Sequence, residues 1–233
     1  MLNKLKTELK KLSNPVQAQI LSRFFKTWKG EYGEWDRFLW IKVPAQRELS
    51  KKYVDLNFQD LQDLLNSTIH EHRLVALLIL IQKYIKSDSE IKNQIFNFYL
   101  KNSKRINNRD LVDLSAPNIV WNQIIASDKS ILYKLAKSSN LREKRISIIA
   151  TYTFIKNNQF EDTLKIAEIL LQDSHDLIQK AVWRMLREIW KRNQKEEESF
   201  LKKHYKTMPR TMLRYAIEKF EEKLRQKYLK GLI

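Results

Sequence analysis

Apolar residues recur at intervals of three and four along almost the whole chain, and this spacing places them on one face of an α-helix. The runs LVALLILI at 74–81 and RISIIATYTF at 145–154 are examples. Alternating apolar and polar runs bounded by hairpin turns, which would predict strands, are missing. The pattern predicts an all-α protein. Because no change in composition marks a linker, we expect a single domain over 1–233.

Short polar breaks such as SDS and KNNQ divide this pattern into separate helices. The stretch WKGEYGEWDR at 28–37 has the composition of a true loop. The predicted helices span 2–12, 15–27, 44–54, 58–66, 69–85, 89–103, 109–125, 128–137, 141–156, 160–172, 175–192, 196–206 and 209–229.

Basic residues repeat along these helices with a nearly constant period. Arg145, Lys180 and Arg214 are separated by 35 and 34 residues, and each opens the second helix of a predicted pair. Two steps of 36 residues back from Arg145 reach Arg109 and then Arg73. A unit of about 35 residues is close to the period of two-helix solenoid repeats, so we predict a helical-repeat solenoid. Stacked in register, the five cations would line one concave wall.

The charge of the chain indicates what such a wall could bind. Lysine and arginine number 44 against 27 acidic residues, and the net charge of +17 favours a polyanionic partner. A row of cations could follow the phosphate backbone of duplex DNA, and the segment KKHYKTMPRTMLR at 202–214 adds Lys206 and Arg210 as candidate contacts. Three alternatives stay open: a lysine-rich surface that only confers solubility, arginines that brace neighbouring repeats, and an adaptor for an acidic protein.

Several other classes of protein are disfavoured by the sequence. Cysteine is absent, which excludes disulfides and thiolate metal sites and fits the cytoplasm. The apolar run at 74–81 is too short to cross a bilayer, so we expect a cytoplasmic protein without a membrane partner. The leucines of the segment 2–12 would also suit a helix on a membrane surface, although the first helix of a solenoid explains them better.

The familiar constellations of metal and covalent catalysis are missing as well. His70 and His72 in IHEHR are two residues apart and point to different faces of a helix, so we expect no metal site and no cofactor. His175 has the character of a residue that starts a helix. Glycine-rich phosphate loops and nucleophile elbows are not found, which argues against a serine hydrolase or a metal-dependent one.

Two carboxylates in the stretch RINNRDLVDLSAPNIV at 105–120 are candidates for chemistry. Asp110 would lie in the first turn of a helix, where a carboxylate is favourable, so its structural interpretation is preferred. Asp113 has the apolar neighbours Leu111, Val112 and Leu114, and an unpaired carboxylate there would be costly. Pairing with Arg145 would make Asp113 structural, whereas a place in a cationic groove would suit stabilisation of a positively charged transition state.

Five ordered motifs give the chain a resemblance to a known family: FLWIKVPAQREL, INNRDLVDLSAPNIV, NLREKRISIIATYTFI, HDLIQKAVWRMLREIWKR and MPRTMLRYAIEKF. Together they resemble the bacterial DNA alkylation repair family of glycosylases with HEAT-like repeats. The resemblance implies a C-shaped solenoid with a basic concave groove that embraces duplex DNA and excises positively charged N3- and N7-alkylpurines. It implies that Asp113 stabilises the oxocarbenium-like sugar and positions water, and that Arg145 lies near the backbone of the lesion strand. We expect a monomer.

The departures from the family pattern concern tryptophan. The family carries tryptophan where this chain has Arg109, Arg142 and Arg184, and the residues at 109 and 184 would form the wall against the lesion. All six tryptophans of the chain stand instead where the family typically has glycine: Trp28, Trp35, Trp40, Trp121, Trp183 and Trp190. Glycine numbers only 3, far below the usual frequency of about 7%.

Two explanations of these departures are open. We hypothesise that the gene uses a reassigned code, in which UGA specifies glycine and some arginine-type codons specify tryptophan. Translated with another code, the UGA codons would then be read as the six tryptophans, and the reassigned tryptophan codons would be read as Arg109, Arg142 and Arg184. The rival explanation is a diverged DNA-binding relative that has lost its lesion pocket.

Overall fold

Helices provide the regular secondary structure throughout the part of the chain that the structure describes. This computed structural model describes residues 1–14, 27–29, 33–34, 36–124 and 128–233, and within them the one β-type contact is an isolated bridge between Arg37 and Ile69. The prediction of an all-α fold is confirmed, and the succession of helices is consistent with a helical-repeat solenoid. The predicted helix 15–27, except its last residue, lies outside the described residues, as do Trp35 and residue 125.

The chain divides into two compact units, Met1–Gln123 and Ile124–Ile233. A single domain over 1–233 stays a prediction. In chain order the helices of the first unit are α1 (Leu2–Lys11), α2 (Val43–Lys51), α3 (Phe58–Leu65), α4 (His70–Lys86), α5 (Ser89–Lys101) and α6 (Arg109–Ile124), with a 3-10 turn at Ser103–Arg105 before α6. Those of the second unit are α7 (Ser130–Ala136), α8 (Leu141–Ala150), α9 (Tyr152–Lys156), α10 (Glu161–Ile169), α11 (Asp176–Trp190), α12 (Gln194–His204), α13 (Arg210–Ala216) and α14 (Glu222–Lys230), with a 3-10 turn at Ile217–Lys219.

Each unit is built around one long helix. In the first unit α4 packs against α1, α2, α3 and α5, and every residue from 74 to 81 is buried. A helix that is apolar on all sides is expected at the centre of a core, which explains the run LVALLILI. In the second unit α11 packs against α8, α12 and α13 with an amphipathic face that includes Leu177, Ala181 and Met185.

Side-chain caps fix where several helices begin. Asn57, Asp88, Asn140 and Asn193 each accept a hydrogen bond from a backbone N–H in the first turn of α3, α5, α8 and α12. Nδ1 of His175 accepts from the N–H of Leu177 at 3.2 Å and so caps α11. The expectation that His175 starts a helix is confirmed.

Two predicted helices are broken in the structure. The segment 141–156 is interrupted at Thr151, whose hydroxyl donates to the carbonyl of Ile148 at 2.7 Å and competes with the regular helical pattern. The predicted helix 209–229 is broken after α13, which ends at Ala216. Phe220 takes an extended conformation there and is buried against Trp190 and Tyr228. Periodicity alone did not show either break, since the apolar spacing continues across both.

The loop before α2 contains an unusual backbone conformation. Trp40 has φ 60°, in the left-handed region that side chains with a Cβ rarely enter. Asn158, with φ 57°, is of a residue type that tolerates this region, whereas a tryptophan there is strained. Glycine adopts such a φ readily, and position 40 is one of the six at which the resemblance leads us to expect glycine.

We therefore predict that glycine suits position 40 better than alanine does. Trp40→Gly should have a free energy of unfolding about 1 kcal/mol higher than Trp40→Ala, because only alanine places a Cβ in the left-handed region. Urea unfolding of the two variants measures the difference. At Trp28, an exposed residue without a positive φ, the same pair of substitutions should show no advantage for glycine. An advantage for alanine at both positions would contradict the strain at Trp40.

Candidate active site and nucleic-acid interface

Four charged side chains meet at the beginning of α4, in the interior of the first unit. Nε2 of His70 lies 2.8 Å from Oδ2 of Asp110 in the first turn of α6, and its Nδ1 lies 3.7 Å from Oδ2 of Asp36. Nη2 of Arg73 lies 2.7 Å from Oδ1 of Asp36. The side chains of Asp36, His70 and Arg73 are 4–5% exposed, and that of Asp110 is 26% exposed. We call these four residues the charge cluster.

The surroundings of the charge cluster favour its ionised forms. Burial alone would lower the pKa of His70, but the adjacent Asp110 carboxylate and the more distant Asp36 raise it to about 9. Burial would raise the pKa of Asp36, but hydrogen bonds and charge from His70, Arg73 and Asn107 hold it below its usual value. At neutral pH two cations therefore face two carboxylates, and the cluster is neutral as a whole.

Neighbouring residues attach the cluster to a loop and to the start of α6. Nδ2 of Asn107 donates to Oδ1 of Asp36 at 2.9 Å. The ring of Phe38 stacks on the imidazole of His70, with 4.7 Å between the ring centroids. Glu71, itself buried, accepts hydrogen bonds from the backbone N–H groups of Leu39 and Trp40 at 2.8 and 2.7 Å. The first turn of α4 thereby holds the loop 36–41 in place.

Asp113 lies on α6 one turn after Asp110, and its side chain is half-buried. Pro117 interrupts the hydrogen-bonding pattern at this point, because it has no N–H to donate to the carbonyl of Asp113, four residues earlier. On the buried side of the same helix, Ser115 forms a hydrogen bond of 2.8 Å with the hydroxyl of Tyr99. Asp113 thus lies in a turn of α6 that lacks one helical hydrogen bond. The Ser115–Tyr99 hydrogen bond holds the buried side of this turn.

The predicted row of cations has a register in the helices of the second unit. The fifth residues of α8, α11 and α13 are Arg145, Lys180 and Arg214. Arg73 is the fourth residue of α4, whereas Arg109 is the first residue of α6. The fifth residue of α6 is Asp113. A carboxylate therefore takes the register position that a cation takes in the three helices named.

Two of the predicted DNA contacts are buried. Arg73 is 4% exposed within the charge cluster, and Arg145 is 5% exposed. Nη1 of Arg145 donates to the backbone carbonyl of Leu177 at 2.6 Å, which joins α8 to the first turn of α11. For these two residues the structure favours the alternative interpretation, in which an arginine braces neighbouring helices, because a buried guanidinium cannot reach a phosphate.

The other predicted contacts have accessible side chains. Lys180 is half-buried and pairs with Asp176 at 2.8 Å on the same helix. Lys206 is exposed, with its ammonium 5.7 Å from the centroid of the Tyr205 ring. Arg210 and Arg214, the first and fifth residues of α13, are exposed, and Arg210 donates to the carbonyl of Leu229. Arg214 lines a cavity of about 250 Å³.

The residues of the predicted lesion wall lie in different environments. Arg109 is half-buried at the start of α6, and Arg184 is exposed on α11. Beside Arg184, the Trp183 indole is stacked on the Tyr215 ring, with 4.9 Å between the ring centroids. The Arg187 guanidinium lies 4.7 Å from the centroid of the Trp183 ring.

Two tryptophans at positions where we expect glycine are poorly accommodated. The indole N–H groups of Trp183 and Trp190 are buried and have no hydrogen-bond partner among the described residues. Buried tryptophans usually find such a partner. The reassigned code stays a hypothesis at these positions.

Sequence reasoning missed the role of His70. The sequence analysis considered it only as a metal ligand, and the described residues contain no group of three or more His, Cys, Asp or Glu side chains placed to hold a metal ion. The available signal was the run of charged residues in HEHR directly before eight apolar ones. Charges at the start of a fully buried helix require partners of opposite sign. Asp36 gave no comparable signal.

The described residues form an all-helical protein with several exposed cations, and comparisons with known proteins identify its family. A family model described as DNA alkylation repair enzyme matches residues 5–220. The chain belongs to this DNA alkylation repair enzyme family, as the five sequence motifs predicted. No curated protein matches the chain.

A solved structure supports the same fold. A predicted DNA alkylation repair enzyme from Enterococcus faecalis is similar with a TM-score of 0.70 and 16% sequence identity, over 90% of this chain and 97% of that one. Among the residues described here, no helix is long and apolar enough to cross a membrane.

The charge cluster predicts a dependence of stability on pH. The pKa of His70 is raised from 6.5 to about 9 by folding, so the stabilisation is complete below pH 6.5 and is lost as the pH rises through about 9. The loss is at most about 3 kcal/mol, since one pKa unit corresponds to about 1.4 kcal/mol. Chemical unfolding of wild type and His70→Gln between pH 6.5 and about 9 measures this loss. The free energy of unfolding should fall less steeply with pH in the variant than in wild type.

His72→Gln provides the matched control. His72 is a buried histidine two residues further along α4, and burial lowers its pKa to about 4, so it stays uncharged over the same range. Burial raises the pKa of Glu197 to about 9, so this residue should contribute to the slope that remains in His70→Gln. Equal slopes in wild type and His70→Gln would contradict the charge assigned to His70.

Proposed function

We propose that the protein is a DNA glycosylase that hydrolyses the N-glycosidic bond of positively charged N3- and N7-alkylpurines in duplex DNA. Membership of the DNA alkylation repair enzyme family supports the class of substrate. The observation that carries the proposal is the half-buried carboxylate of Asp113, next on α6 to a carboxylate already neutralised by His70. The proposal includes a monomeric protein acting in the cytoplasm.

The reaction asks little of the protein beyond electrostatics. An alkylpurine cation is already a good leaving group, and the electron pair of the breaking C1′–N bond neutralises it. Positive charge then develops on the sugar, where a carboxylate stabilises the oxocarbenium-like transition state more than the ground state. Asp113 would provide this charge and orient the water that adds to C1′ and gives up its proton to solvent. This chemistry requires no metal and no cofactor.

Binding to DNA would rely on exposed cations of the second unit. Lys206, Arg210 and Arg214 are exposed, and Lys180 is half-buried. Contacts of this type neutralise phosphates without reading bases, so binding would be independent of sequence and sensitive to salt. The C-shaped arrangement and basic concave groove that the resemblance implies stay predictions.

A second candidate is a DNA-binding solenoid without catalytic activity. Arg109 and Arg184 favour it, because the family places tryptophan at both positions of its lesion wall. A guanidinium there would repel a cationic base, whereas an indole face would attract it. The reassigned code and this second candidate make opposite predictions for the codons of these residues.

Removal of the Asp113 charge tests the proposed chemistry. Asp113→Asn keeps the size of the side chain, and it should lower the single-turnover excision rate by about 100-fold while DNA affinity changes little. Release of N7-methylguanine from an alkylated duplex measures the rate, and fluorescence anisotropy measures affinity. Asp63→Asn, which removes one exposed carboxylate from α3, should have the rate of wild type. Equal rates for Asp113→Asn and wild type would exclude Asp113 as the catalytic carboxylate.

Restoring the indoles tests the lesion wall. Arg109→Trp and Arg184→Trp, combined with Trp183→Gly to make room, should raise the excision rate about tenfold or more, since a desolvated cation–π contact contributes about 2 kcal/mol. The genetic check is independent: all six tryptophans should be encoded by UGA, and Arg109, Arg142 and Arg184 should share codons that Arg145 and Arg214 do not use. UGG at the tryptophans would refute the reassigned code and favour the non-catalytic relative.

A further inference from the structure

His70 is buried in the first unit, and the proposed reaction does not use it. Its imidazole lies 2.8 Å from the Asp110 carboxylate and 3.7 Å from that of Asp36. The ring of Phe38 is stacked on it, with 4.7 Å between centroids. A histidine with carboxylates at both nitrogens and an aromatic ring against its face is held in one orientation. We propose that His70 is a positioning residue for the glycosylase reaction, which orients Asp113 through its ion pair with Asp110; this inference rests on the proposed function.

The mechanical link from His70 to Asp113 is short. Asp110 and Asp113 are one turn apart on α6, so a shift of the first turn moves both. Pro117 removes the helical hydrogen bond that the carbonyl of Asp113 would otherwise accept, and the first turn of α6 therefore depends more on contacts outside the helix. The His70–Asp110 pair is such a contact, because it ties this turn to α4. A misplacement of a catalytic group by about 1 Å can lower a rate about 100-fold.

The charge of His70 gives the two carboxylates of α6 different roles. As an imidazolium, His70 cancels the charge of Asp110, so that of the two carboxylates on this face of α6 only Asp113 would act on the developing sugar cation. The charged groups that face His70 are Asp36 in the loop, Arg73 on α4 and Asp110 on α6. Arg73 is itself paired with Asp36 at 2.7 Å. Loss of the His70 proton would leave a neutral N–H···O hydrogen bond to Asp110, so the contact that ties the first turn of α6 to α4 would lose its ionic part.

The test compares His70→Gln with His72→Gln in single-turnover excision of N7-methylguanine from duplex DNA. The two histidines are buried on the same helix, but Nδ1 of His72 forms its hydrogen bond with Ser67, at 3.0 Å, and not with α6. We expect His70→Gln to lower the rate about tenfold or more, with DNA affinity within about twofold of wild type. His72→Gln should excise at the rate of wild type even where its stability falls.

A double-mutant cycle and a pH profile separate positioning from general stability. If His70 acts through Asp110, adding Asp110→Asn to His70→Gln should cause little further loss, whereas independent effects would multiply. In wild type, the rate corrected for enzyme-free loss should fall as the pH rises through about 9, where His70 loses its proton, and His70→Gln should lack this step. If His70→Gln does not fold, Asp110→Asn should lack the fall near pH 9, whereas Glu197→Gln, at a residue whose pKa burial also raises to about 9, should keep it.

The outcomes distinguish this inference from the proposed function. Excision by wild type that is lost in Asp113→Asn but unchanged in His70→Gln, with no fall near pH 9, would overturn the positioning role and leave the glycosylase proposal intact. Multiplicative losses in the double-mutant cycle would likewise overturn it. If wild type binds alkylated duplex DNA but excises nothing, the proposed function fails, and the role of His70 fails with it.

Discussion

A buried carboxylate or imidazolium is stable only beside a charge of opposite sign, and this requirement organises the first unit. Asp36, His70, Arg73 and Asp110 satisfy it as a neutral group of four that joins the loop before α2 to the beginnings of α4 and α6. Removing one member of a buried pair typically costs about 3–5 kcal/mol, because the remaining charge loses its partner. The same three contacts therefore hold the first turn of α6 against α4 and the loop.

The catalytic proposal depends on this arrangement. Asp113 follows Asp110 by one turn, at the register position where α8, α11 and α13 carry Arg145, Lys180 and Arg214. A carboxylate at that position would suit a reaction that develops positive charge, and cleavage of an alkylpurine cation from its sugar is such a reaction. Because His70 neutralises Asp110, the two neighbouring carboxylates can have different roles.

Sequence patterns predicted the helices far better than they predicted the interior contacts. The apolar spacing of three and four located the helices of both units, and the family motifs identified the class of protein. The breaks at Thr151 and Phe220 were missed because a hydroxyl-to-carbonyl bond and a buried extended residue leave the periodicity unchanged. Arg73 and Arg145 were predicted as phosphate contacts, but both are buried. Spacing in a sequence does not show whether a cation faces solvent or a buried partner. His70 and Asp36 are 34 residues apart, and only the folded chain brings them together.

The most direct test of the account is the identity of the product formed from a duplex that contains one N7-methylguanine. With protein in excess and a metal chelator present, we predict that mass spectrometry detects the free methylated base and chromatography detects an abasic site in an otherwise uncut strand. The base should appear above the enzyme-free background, and Asp113→Asn should reduce it to that background. Tight binding of the same duplex with no free base, or release that the chelator abolishes, would contradict the account.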